Sequence, residues 1–329
     1  MDTRISSNPL RHGDHIRVVS FGLSLRGAPP TQRAMCNATL ARIGLKVSFG
    51  DHVDVSNEFD TSPVSDRIRD LHTALVDRQV KMIMSGLGGM NSAQLLRYID
   101  WDLIRQEPKV FCGFSDVGAL LNAIYAKTGM TTYYGPFYST FGMKEGADYM
   151  LEMFTRCLFS SDPYTISAAP MWSDDMWWLD QENRCWQVNP GPLVLSEGEA
   201  EGTLVGGHLT SIAILFGTEF MPPLAGSIVL IEENSEIRPR SFDRLLQALI
   251  HQPGFDEVRA LLIGRFTSAS RVSESVLTQI VRSYPQLLRI PVIANLSVGH
   301  TYPQFTCPIG GTVRVKASTT GTTLDVLRH

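Results

Sequence analysis

The first half of the chain alternates short apolar runs with segments of helical spacing, and that alternation constrains the fold more than any other feature. Residues 16–21 (Ile-Arg-Val-Val-Ser-Phe), 45–49, 80–84 and the run that ends at Ser115 read as strands. Residues 31–43, 65–77, 92–99 and 117–127 read as helices, with Leu71, Leu75 and Val76 on one face of the second. Strands separated by helices must pair through crossovers, so the spacing predicts an α/β fold with a parallel, Rossmann-like or flavodoxin-like sheet over about residues 14–160. Ligands of such sheets sit at the carboxyl ends of the strands.

Two glycine-bearing turns occupy those ends: Ser85-Gly-Leu-Gly-Gly-Met90 and Gly113-Phe-Ser-Asp116. A serine hydroxyl is a weak nucleophile unless it is held on a tight turn beside a base, with N–H groups aimed at the developing oxyanion. Residues 110–118 supply such a turn, with Ser115 at its apex and the Asp116 N–H at the start of a helix. The hydrolase elbow is usually G-x-S-x-G, whereas Val117 stands at its last position here, and a helix-capping role for Ser115 or Asp116 is the competing reading. Gly88 and Gly89 are placed to offer a second oxyanion donor. A dinucleotide site is disfavoured, because Gly86-x-Gly88-Gly89 lacks the G-x-G-x-x-G spacing and no ribose-binding acid follows.

Between about 160 and 199 the periodicity fails, and residues 171–186 hold four of the five tryptophans: Trp172, Trp177, Trp178 and Trp186. So aromatic a connection is not a disordered one. Its indoles either pin a linker to the domains or form a lid that stacks on a planar ligand. The second half is mixed with β structure dominant: strands at 227–231, 260–264 and 291–294, helices at 242–251 and 274–283, and a terminal hairpin at 312–315 and 322–327. The strand at 227–231 runs into Glu232 and Glu233, and a carboxylate at the end of a buried strand needs a partner. His300, after a glycine in an apolar, turn-rich stretch, is one candidate, as base or as structural residue.

Composition sets the context. The 329 residues are 43% hydrophobic with a formal charge of -4, enough material for a large core and no basic surplus, which argues against a nucleic-acid partner. The cysteines at 36, 112, 157, 185 and 307 are odd in number and contain no C-x-x-C pair, fitting reduced thiols rather than a disulfide or zinc framework. The N-terminal residues lack an apolar export segment, and no run is long enough to span a bilayer, so a cytoplasmic protein with no membrane partner is expected.

Taken in order, several segments resemble those of one family over nearly the whole chain. They are Gly13-Asp-His-Ile-Arg-Val-Val, Asp66-Arg-Ile-Arg-Asp-Leu, Gly88-Gly89, Tyr98-Ile-Asp100, Pro108-Lys-Val-Phe-Cys-Gly-Phe-Ser-Asp116, Tyr134-Gly-Pro136, Gly206-Gly207, Ile231-Glu-Glu233, Asp243-Arg-Leu-Leu246, Gly299-His300 and Pro308-Ile-Gly310. The family is that of the serine peptidases comprising the LD-carboxypeptidases of murein recycling and the microcin C immunity peptidases. The resemblance implies a Ser115–Glu232–His300 triad, with Glu233 as competing acid, oxyanion donors at Gly89 and Asp116, no metal or cofactor, and commonly a homodimer. It also implies a flavodoxin-like domain over 1–160 carrying the nucleophile, a tryptophan-rich linker or lid over 161–200, and a β-rich domain over 201–329 carrying the acid and the base.

One branch of the family removes a terminal D-amino acid from a muropeptide, and the other cuts an amide joining an aminoacyl or peptidyl group to a modified nucleotide. The tryptophan segment favours the second, with Gly88, Trp172, Trp177, Trp178, Trp186, His208 and Arg238 as candidate substrate contacts. His208 stands where the family usually has asparagine after the glycine pair, and is an alternative base. Glu236 stands where the immunity branch has a basic residue, with Arg238 and Arg240 just beyond. A non-catalytic binding protein and an ordinary esterase of Ser–acid–His order are the remaining alternatives.

Overall fold

The computed structural model describes residues 7–329; residues 1–6, part of the stretch read for an export signal, lie outside the described residues. The alternating half folds as β1 (His15–Val19), α1 (Pro30–Arg42), β2 (Lys46–Phe49), α2 (Val64–Val76), β3 (Val80–Ser85), α3 (Trp101–Gln106), β4 (Val110–Gly113), α4 (Val117–Thr128), β5 (Thr132–Tyr134) and α5 (Ala147–Leu158). The five strands are parallel in the order β2-β1-β3-β4-β5, which is the flavodoxin-like order. β3 and β4 are buried almost throughout, as strands covered by helices on both faces must be.

The remaining elements are β6 (Tyr164–Thr165), β7 (Met171–Trp172), β8 (Gln187–Val188), β9 (Leu193–Ser196), β10 (Gly198–His208), α6 (Leu209–Ala213), β11 (Ser227–Glu232), α7 (Pro239–Ile250), β12 (Ala260–Gly264), α8 (Glu274–Arg282), β13 (Val292–Leu296), β14 (Cys307–Ile309), β15 (Thr312–Ser318) and β16 (Gly321–Arg328). They build a mixed eight-stranded sheet, β6-β16-β15-β10-β11-β12-β13-β9, in which β10 to β13 are parallel and the flanking pairs antiparallel. β14 leaves this half and pairs antiparallel with β5, closing the edge of the first sheet.

The structure differs from the sequence reading in two places that bear on the site. Residues 92–99 form only a short 3-10 turn, Ser92–Leu95, whose first residue is tied by its N–H and its hydroxyl to Asp116. Residues 161–200 are not an irregular linker: β6 and β9 join the large sheet at its two edges, and β7 and β8 pair as a small ribbon. Two-residue strands are too short for a period-2 pattern to register.

The sheets meet through α4. Asn122 on its buried face donates to the Gly206 carbonyl and accepts from the Gly206 N–H, both at 2.8 Å, so the helix that follows β4 is fixed against β10. That contact sets the carboxyl end of β4 beside the carboxyl end of β11.

Candidate active site

Ser115 leaves β4 with φ +59°, in the left-handed region that a non-glycine residue rarely occupies. The turn holds its side chain at the apex, and the strain is of the kind stored at functional sites. Its Oγ lies 3.0 Å from His300 Nε2, and His300 Nδ1 lies 2.7 Å from Glu232 Oε2. The three groups therefore form one chain of hydrogen bonds, assembled from the ends of β4 and β11 and the loop after β13. Gly299 is required next to His300: its φ is +95°, and a Cβ there would collide with the Glu232 carboxylate.

Glu232 is fully buried, and burial by itself would raise its pKa. The charge and hydrogen bond of His300, the charge of His208 and the Tyr134 hydroxyl outweigh that and bring the carboxyl to about 2, so it is ionised where the site would work. Tyr134 was not among the sequence candidates. Its hydroxyl donates to Glu232 Oε1 at 2.6 Å and accepts from the Ser115 N–H at 2.9 Å, linking Glu232 and the Ser115 backbone directly. Burial, then the neighbouring Glu232 charge, push its own pKa well above the ordinary value, so it stays a donor. The available signal was a tyrosine ending the strand next to the one that ends in Ser115. Tyr134→Phe removes both bonds and leaves two buried groups unanswered. We expect kcat to drop by about 10- to 100-fold with KM little changed, in steady-state kinetics.

The N–H groups of Gly89 and Asp116 donate to no acceptor among the described residues. A Cβ at Gly88 would lie 3.3 Å from Ser115 Oγ, so the glycine keeps the space above that hydroxyl open. A cavity of about 260 Å³ opens on Ser115 and His300, walled by Leu87, Phe114, Phe137, Trp177, Trp178 and Tyr302. Phe114 and Phe137 stack at 4.3 Å between ring centres, and Phe114 meets the His300 ring edge-on.

Models of the LD-carboxypeptidase N-terminal and C-terminal domains match residues 16–135 and 201–315. The chain belongs to the LD-carboxypeptidase family. It is 47% identical over 311 residues to the putative carboxypeptidase YocD of Bacillus subtilis, covering 94% of this chain and 96% of that one. The crystal structure of an MccF-like protein from Bacillus anthracis is 40% identical and superposes with a TM-score of 0.97 over 99% of this chain and 100% of the other. The microcin C7 self-immunity protein MccF in complex with aspartyl sulfamoyl adenosine is 27% identical, with a TM-score of 0.88 over 98% of each chain.

Within this LD-carboxypeptidase framework the tryptophans separate. Trp177 and Trp178 reach the cavity; Trp177 is 2% exposed and packs edge-on against Tyr302 and Trp178, whereas Trp178 is 49% exposed. Trp172 and Trp186 do not line it. Trp172 lies under the Arg265 guanidinium in a separate cleft, and Trp186 lies under Arg184 and donates to Glu145. Arg238 is likewise spent locally, its guanidinium donating to the carbonyls of Ser235, Glu236 and Ile237.

His208 lies beside His300, with ring centres 5.2 Å apart, but does not line the cavity. Its Nδ1 is 2.7 Å from Ser211 Oγ and its Nε2 is 3.1 Å from Glu233 Oε2. Burial would lower its pKa, but Glu233, Glu232 and Asp116 outweigh burial and raise it. Glu233 also accepts from the Thr210 N–H and hydroxyl, so the two consecutive glutamates serve two different histidines.

Proposed function

We propose that this protein is a serine amidase of the microcin-immunity type, hydrolysing the amide between an aminoacyl or peptidyl group and a modified nucleotide. The observation that carries the reading is the cavity wall. Among the described residues, the lining of the cavity contains, besides Ser115 and His300, aromatic and aliphatic side chains, glycines, Gln32 and Ser139, but no Asp, Glu, Lys or Arg. An uncharged aromatic group such as a nucleobase suits that wall, whereas the free carboxylate of a terminal D-alanine would lose its hydration there with no cation to replace it. MccF, the relative solved with aspartyl sulfamoyl adenosine, has a ligand of this type.

In this reading Ser115 Oγ attacks the amide carbonyl as its proton passes to His300 Nε2. Glu232 holds the imidazole by Nδ1 and stabilises the imidazolium that forms. The tetrahedral oxyanion lies between the N–H groups of Gly89 and Asp116. His300 then returns the proton to the leaving amine, and water, activated by the same histidine, releases the acyl group from Ser115. The sulfamoyl nucleotide departs with its base against Trp178, whose exposed face is free to stack, while Trp177 buttresses it. Residues 1–160 supply the nucleophile and 201–329 the acid and base. A cytoplasmic homodimer is the assembly we propose.

The test of the substrate class is calorimetric binding to Ser115→Ala protein. Adding Trp178→Ala weakens binding of an aminoacyl sulfamoyl adenosine by about 1 to 3 kcal/mol, the usual worth of a base–aromatic stack, and leaves an LD-linked murein tetrapeptide within about twofold. Equal losses for the two ligands contradict stacking and favour the murein carboxypeptidase activity.

A further inference from the structure

The two oxyanion donors lie on different turns, so their relative position has to be set by something. The Gly89 turn has no regular structure of its own. Gly89 has φ +153°, and its Cα lies so close to Gly22 and Leu23 that an added Cβ would be 2.8 Å from the Leu23 N. The Leu23 N–H donates to the Gly88 carbonyl at 2.8 Å, which makes residues 21–23 the outer support of the turn.

Two buried charged side chains grip this assembly from opposite sides. From α2, Arg67, 2% exposed, donates through Nη1 to the Phe21 carbonyl at 2.8 Å and to the Asn91 carbonyl and Oδ1 at 3.3 Å, and through Nη2 to Gln94 Oε1 at 2.8 Å. It thereby ties the outer support to the residues just beyond Gly89. From the nucleophile's turn, Asp116, 1% exposed, accepts the Ser92 N–H at Oδ2, and its carbonyl accepts the Ser92 hydroxyl, each at 2.8 Å. No carboxylate lies within ion-pairing distance of Arg67 among the described residues, and Asp116 is the charge it senses across the turn. Burying an ionisable arginine and aspartate at one turn is costly, and neither side chain lines the cavity.

We propose that Arg67 and the Asp116 side chain are positioning residues that clamp the Gly88–Ser92 turn between them and so hold the Gly89 N–H at the oxyanion site beside the Asp116 N–H. This rests on the assignment of Ser115 as nucleophile. Neither side chain touches the reacting atoms. A donor displaced by about 1 Å is enough to cost on the order of 100-fold in rate.

The experiment is the kinetics of Ser115 labelling by a fluorophosphonate, whose phosphoryl oxygen occupies the oxyanion site as fluoride leaves. Asp116→Ala and Arg67→Met each lower the maximal labelling rate by about 10- to 100-fold, with half-saturating probe concentration changed less than about threefold. Asp116→Asn, which keeps an oxygen to accept the Ser92 N–H, stays within about fivefold of wild type. The double variant is no slower than the worse single one, because both act on one turn. Wild-type labelling that disappears in Ser115→Ala but is unaffected by Asp116→Ala, or equal in the Ala and Asn variants, overturns the clamp alone. Labelling that survives Ser115→Ala, or its absence in wild type, overturns the nucleophile and the clamp together. If Asp116→Ala fails to fold, Arg67→Met carries the test alone; a maximal labelling rate about 10- to 100-fold lower supports the clamp, and an unchanged rate overturns it.

Discussion

Ser115→Ala loses turnover by a factor on the order of 10⁶ while still binding substrate, the scale expected when a triad serine is removed and only the oxyanion donors and binding remain. The reason is geometric. Ser115 Oγ is the group that His300 Nε2 reaches, at 3.0 Å, and His208, the other histidine nearby, is bonded through Nδ1 to Ser211 Oγ and has its Nε2 3.1 Å from the buried Glu233 carboxylate. The buried Ser211–His208 pair does not line the cavity and so does not take the place of Ser115. The backbone of the turn is indifferent to the change, since alanine meets the same left-handed φ that serine does. Single-turnover kinetics and calorimetry on the same preparation separate the two effects: Kd within a few-fold of wild type, and no detectable product.

Glu232→Gln costs about 10⁴-fold in kcat, because a carboxamide can present its NH₂ to His300 Nδ1 and so stabilise the tautomer that cannot accept the serine proton. The same substitution has a signature in stability. The Glu232 carboxyl is lowered from the ordinary 4.5 to about 2 in the folded protein. A carboxyl with a depressed folded pKa contributes stability that is fully present above the unfolded value and is lost as the pH falls through the folded one. Wild-type unfolding free energy should therefore decline between about pH 4.5 and 2 partly on this account, and Glu232→Gln should flatten that part of the decline. Denaturant titrations at a series of pH values measure it; parallel curves for the two proteins would show that the carboxylate is not held as the geometry indicates.

The first sheet was legible because short apolar runs, buried as β3 and β4, alternate with longer segments of helical spacing such as α2. α5 carries helical spacing too, with Met150, Leu151, Phe154, Cys157 and Leu158 buried along one face, and could have been read the same way. β14 was not legible as part of the first sheet, because three residues separated from β5 by residues 135–306 record nothing about which edge they will join. The serine, acid and histidine named from the sequence are brought together within hydrogen-bonding distance by the ends of strands that lie in different sheets. Residues that act by burial left less trace. Tyr134 lies within a segment that carried the family resemblance, yet its link to both Ser115 and Glu232 exists only after β5 and β11 converge. The four clustered tryptophans look equivalent in sequence, and only the paths of β7 and β8 send Trp172 and Trp186 away from the cavity that Trp177 and Trp178 wall.

The most direct measurement is mass spectrometry of products after wild type and Ser115→Ala are incubated with an aminoacyl sulfamoyl adenosine panel and, separately, with an LD-linked murein tetrapeptide. Release of the free amino acid and the sulfamoyl adenosine by wild type alone is the expected result. Release of D-alanine from the tetrapeptide with the adenosines intact would contradict the proposed substrate, and equal cleavage by Ser115→Ala would contradict the nucleophile itself.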